Sequence, residues 1–116
     1  DVSEGGLITA VFEMCVGGNV GIDINLAGLE ASNLRGWNGG GWRGGRPDNF
    51  LFNETAGCFI VEVEDEKTAE TLFRGIPYQV LGKTQKKETI VVEDLFSVDV
   101  AQLQKAWQQP MKEMFP

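Results

Sequence analysis

Apolar positions set out the elements of this chain before any other property is considered. Leu7, Ile8, Val11, Phe12 and Cys15 recur at the spacing of one helix face, and Ala10 and Met14 widen it. Ser3 is suited to cap that helix, Glu4 to sit in its first turn, and Gly17-Gly18 to stop it in a left-handed conformation. Val20, Ile22, Ile24 and Leu26 then alternate with Gly21, Asp23 and Asn25, the period of two that marks a half-buried strand. The stretch from Ala27 to Ala56 has weak periodicity and predicts an irregular loop, with a short helix over Asn49 to Glu54.

Cys58 to Glu64 predicts a strand that is apolar on both faces at its start, and therefore central. Asp65 is placed to cap a short helix with Ala69, Leu72 and Phe73 inward and Gly75 at its end. Tyr78 to Lys83 and Glu88 to Glu93 predict two strands joined as a hairpin through Thr84-Gln85-Lys86-Lys87. Asp99 or Ser97 caps a last helix that puts Val100, Leu103, Ala106 and Trp107 on one face, and Pro110 closes it. The order α-β-loop-β-α-β-β-α predicts an α/β (α+β) sandwich, a mixed sheet flanked by helices with partial ferredoxin-like similarity.

Composition narrows the function classes. A chain of 116 residues with 42% hydrophobic content fits one folded domain, 1–116. The formal net charge of -7 works against nucleic acid and anionic membrane surfaces as partners. There is no histidine, which removes Ser-His, Cys-His and His-metal chemistry together. Cys15 and Cys58 sit among apolar neighbours and read as buried free thiols, so neither a disulfide nor a metal site is expected. Residue 1 is not a methionine and already lies inside a motif, so the domain is expected to extend upstream as a piece of a larger multidomain chain.

The candidate chemistry is concentrated at the start. Asp1, Ser3, Glu4, Gly5 and Gly6 form a small, glycine-rich turn leading into a helix. Such a turn leaves backbone N–H groups free, and the helix dipole favours an anion there, so the segment reads either as a phosphate site or as a helix cap. Glu62, Glu64, Asp65 and Glu66 alternate along a strand end and a helix start, which points to a solvated acidic edge and no metal site. Trp37, Trp42, Arg35, Arg43 and Arg46 lie among glycines in the irregular stretch. Arginine and tryptophan favour protein interfaces, so Trp37, Trp42, Arg43 and Arg46 are candidates for docking on a neighbouring domain or subunit; a plain surface loop is the alternative.

With its continuation, the opening segment becomes more specific. Asp1-Val2-Ser3-Glu4-Gly5-Gly6-Leu7 through Glu13-Met14 resembles the Asp-x-Ser-(Asp/Glu)-Gly-Gly-Leu…Glu-Met segment of the synthetase subunits of phosphoribosylformylglycinamidine synthase, in the aminoimidazole-ribonucleotide-synthetase-like superfamily. Gly21-Ile22-Asp23-Ile24 is similar to that family's first strand, and Leu51-Phe52-Asn53-Glu54-Thr55 with Phe59-Ile60-Val61-Glu62-Val63 to the approach to its central strand. Tyr78 to Thr84 and Val98 to Trp107 resemble a further strand and the terminal helix. Only the glycine-tryptophan loop falls outside the resemblance.

The resemblance implies a C-terminal domain of an ATP-dependent amidoligase that converts formylglycinamide ribonucleotide, ATP and ammonia to formylglycinamidine ribonucleotide in purine biosynthesis. It implies ATP and magnesium bound mainly by N-type domains of the same polypeptide, with a glutaminase subunit and a small accessory subunit as partners, in the cytoplasm. The fragment alone is then expected to be inactive, to carry no catalytic residue and to need no cofactor. One departure concerns Glu54: the family's substrate-contacting copy has a Glu-Ser-Gln triplet before an arginine, whereas here the run is Glu54-Thr55-Ala56-Gly57-Cys58. Glu54 is therefore either a substrate contact or a residue that caps the approach to the strand. Other readings are a sister domain of the thiamine-monophosphate kinase, selenophosphate synthetase or hydrogenase-maturation type, or an interaction module built on the Trp/Arg/Gly loop.

Overall fold

The computed structural model describes residues 1–26 and 50–116. They contain three helices and a four-stranded mixed sheet: α1 (Gly6–Gly18), β1 (Gly21–Ile24), α2 (Glu66–Leu72), β2 (Gly82–Gln85), β3 (Thr89–Val92), β4 (Phe96–Asp99) and α3 (Val100–Met114). This is the expected α+β class. The chain divides into two compact units, Asp1–Ala10 with Asn25–Leu81 and Val11–Ile24 with Gly82–Pro116.

The second unit holds the whole sheet. Its order is β2-β1-β3-β4, with β1 parallel to β3 and both edge strands antiparallel to their neighbours. A central parallel pair between antiparallel edges gives the partial ferredoxin-like character. The alternation in β1 sends Ile22 and Ile24 to one side, beside Ile90 and Val92 of β3, and Val98 of β4 shares that side. Ile24, Ile90 and Val92 are buried, as are Val11 and Cys15 of α1. The other side carries Asp23, Lys83, Gln85, Ser97 and Asp99 together with Val91, so it is the more polar face of the sheet.

The expected hairpin is not formed. β2 and β3 flank β1, which enters between them, and β2 begins four residues later than the pattern implied. Two strand spacings amount to about 9.6 Å, and the link from Gln85 to Thr89 reaches about 13 Å when extended. The short polar connection can therefore pass over the start of β1. It does so at Gly21, where a Cβ would collide with the Lys87 carbonyl and Thr89.

β4 was not expected. It follows a tight turn in which Asp94 adopts φ 64° and the Leu95 N–H donates to the Val92 carbonyl. The tolerance of aspartate for the left-handed region was the local signal for this turn.

Two helix ends also differ from expectation. α1 runs through both glycines of Gly17-Gly18, and Asn19 takes the left-handed conformation at φ 53°. The Val20 N–H then donates to the Cys15 carbonyl, the six-to-one bond of a Schellman ending, which asparagine can adopt in place of glycine. α3 continues past Pro110 to Met114, since a proline removes one backbone donor while the bonds around it persist. Gln109 donates to Glu113 on that last stretch. Asp99 is the N-cap by position but makes no capping bond; its carboxylate accepts from the Thr89 hydroxyl instead. Val100 is buried and Leu103 half-buried, whereas Trp107, expected on the inward face, is 70% exposed.

In the first unit, Val2, Leu26, Leu51 and Ala69 are buried. α2 is capped as its sequence implied: Asp65 accepts from the Thr68 N–H at 2.7 Å, and Gly75 follows the helix at φ 80°. Phe73 lies against Tyr78 with ring centroids 5.4 Å apart, but Leu72 is exposed where an inward position was expected. Cys58 to Glu64 is not a central strand; it lies outside the sheet, and Phe59 and Val61 are exposed. β-branched and aromatic residues suit a pleated surface but do not supply a partner strand, and the sheet centre is taken by β1 and β3. Of the helix expected over residues 49–54, residue 49 lies outside the described residues, Phe50 and Leu51 are helical, and Asn53 and Glu54 are not. Neither cysteine is in a disulfide; Cys15 is buried and Cys58 half-buried.

Candidate functional site

The chain enters α1 through a built turn. The Val2 N–H donates to the Cys58 carbonyl at 2.8 Å, which ties the first residues to the segment after Asn53. The Gly6 N–H donates to the Ser3 carbonyl at 3.0 Å and closes the turn over Ser3 to Gly6. Ser3 thus contributes its backbone to the start of α1, and Glu4 lies in the turn before the helix instead of in its first turn.

Gly5 and Gly6 both have positive φ, at 83° and 77°. At Gly6 glycine is required twice over. A Cβ there would lie 2.6 Å from the backbone carbon of Phe52, so the position forbids a side chain on spatial grounds as well as conformational ones. The Thr9 hydroxyl donates to the Gly5 carbonyl at 2.9 Å, fixing the same corner from within the helix.

Glu54 reaches this corner from 49 residues away. Its Oε1 accepts from the Gly5 N–H at 2.8 Å. Its backbone is presented by an Asx-type turn: Asn53 Oδ1 accepts from the Thr55 N–H at 2.8 Å, and the Thr55 hydroxyl contacts the same oxygen. A carboxylate at a helix start is favoured by the amide donors and by the dipole together. Glu54 therefore sets its carboxylate on a backbone amide at the start of α1.

Of the residues singled out from sequence, Gly5, Gly6 and Glu54 are brought together here. Ser3 and Glu4 sit on the same turn and Asp1 just before it, all three exposed. Trp37, Trp42, Arg43 and Arg46, with Arg35, lie outside the described residues. Sequence reasoning missed the Asn53–Thr55 turn and the approach of Phe52 to Gly6. An Asn-x-Thr spacing just before Gly57 was the available signal for the first; nothing local signalled the second. Away from this corner, the Thr68 backbone N–H and then its hydroxyl hold the Asp65 carboxyl below the usual carboxylate range. No described helix is long and apolar enough to cross a membrane.

Residues 1–94, which carry the turn, the Glu54 contact and the sheet as far as β3, match the family described as AIR synthase related protein, C-terminal domain. The chain belongs to this family. It is similar to phosphoribosylformylglycinamidine synthase subunit PurL of Methanocaldococcus jannaschii, with 29% identity over 98% of the chain and 14% of that protein. The PurL subunits of Deinococcus radiodurans and Thermus thermophilus are each 30% identical, over 97% and 98% of the chain. The chain thus spans 14% of the length of these relatives. No solved structure matches it significantly. For an AIR synthase related C-terminal domain, the similarity to PurL proteins runs through α3, beyond the 94 residues that match the family.

Proposed function

We propose that this AIR synthase related C-terminal domain serves in a PurL-type polypeptide of purine biosynthesis, an ATP-dependent carbon–nitrogen ligase. That ligase takes formylglycinamide ribonucleotide, ATP and ammonia derived from glutamine to formylglycinamidine ribonucleotide. Support comes from family membership and from similarity to PurL proteins over nearly the whole chain. In this reading ATP and magnesium are held by N-type domains of the same polypeptide, and the chain alone turns nothing over. A glutaminase subunit and a small accessory subunit complete the assembly, in the cytoplasm, and Trp37, Trp42, Arg43 and Arg46 are the candidates for its contacts.

Within that reading, the turn of Asp1, Ser3, Glu4, Gly5 and Gly6 is a structural copy of a phosphate site. The observation that supports this is the Glu54 carboxylate on the Gly5 amide, an internal anion at the helix start. Glu54 then acts on the fold and not on the substrate.

The test uses a PurL-type polypeptide that contains this chain, supplied with its substrates, magnesium and ammonia. Formation of formylglycinamidine ribonucleotide is expected from the long polypeptide and none from the 116-residue chain. A long polypeptide that makes no product sinks the assignment. Glu54→Gln in the same polypeptide is expected to leave kcat/KM within about twofold; a loss of about 100-fold would mean that Glu54 stabilises a reacting ligand by nearly 3 kcal/mol.

A further inference from the structure

We draw no further inference here: the strongest candidate, the apolar face on the last two turns of α3 where Trp107, Met111 and Met114 are exposed, carries nothing because nothing in the structure shows what covers it.

Discussion

Replacing Gly6 by alanine separates two costs that usually arrive together. The residue has φ 77°, so any L side chain there carries a conformational penalty of about 1–2 kcal/mol. Its added Cβ would also lie 2.6 Å from the Phe52 carbon and 2.7 Å from its Cα, both backbone atoms that cannot rotate away. Relieving that overlap moves the segment carrying Leu51, which is 1% exposed, and overpacking of this kind costs about 1–3 kcal/mol. The total expected for Gly6→Ala is about 2–5 kcal/mol.

Gly57 supplies the control. It has nearly the same conformation, φ 82°, but nothing within 4 Å of its would-be Cβ. Gly57→Ala should therefore lose only the conformational part, about 1–2 kcal/mol. Urea unfolding followed by far-ultraviolet circular dichroism gives both values on the same chain. The excess of Gly6→Ala over Gly57→Ala measures the contact with Phe52. If the two variants lose the same stability, the close approach of Phe52 to α1 is wrong, and with it the geometry of the corner that Glu54 completes.

Other perturbations follow from single contacts. Glu54→Ala should cost about 1 kcal/mol in the same unfolding assay, the scale of one exposed charge-assisted hydrogen bond; Glu54→Gln, which keeps an acceptor, should cost less, and equal losses would show that acceptance of the Gly5 N–H is not what Glu54 contributes. Asp65 has a lowered folded-state pKa, so its capping contribution is complete above the ordinary value of 3.8 and fades as pH falls through the lower folded value. The stability gap between the parent chain and Asp65→Ala should thus be flat near neutrality and shrink only in acid; a gap that grows on acidification would contradict the cap. Ile90→Ala removes a side chain that is 1% exposed and should cost about 2–5 kcal/mol. Trp107→Gln alters one that is 70% exposed and should stay within about 0.5 kcal/mol in the isolated chain, so a large loss there would mean that α3 is packed along its length.

Much of the local structure was legible along the chain because its causes lie within a few residues of one another. The apolar stripe from Leu7 to Cys15, the alternation of β1, the Asp65 cap and the left-handed Gly75 each depend on period or on a bond spanning a single turn. The Asp1 to Met14 segment also carried the family resemblance, which the match over residues 1–94 supports. Periodicity failed where the answer depended on which segment lies beside which. Tyr78 to Lys83 and Glu88 to Glu93 have the pattern of a hairpin, yet β1 pairs between β2 and β3, because an apolar strand with two neighbours buries more than one at an edge. Cys58 to Glu64 has the composition of a central strand and no place in that sheet.

The opening turn divides in the same way. Its glycines and its lead into a helix were set by the sequence, which favoured a plain cap and left a phosphate site open. Only the tertiary structure brought Glu54 across 49 residues to the Gly5 amide and set Phe52 against Gly6. Contacts of that kind depend on where the intervening chain closes, and no period, propensity or cap within either segment encodes that closure.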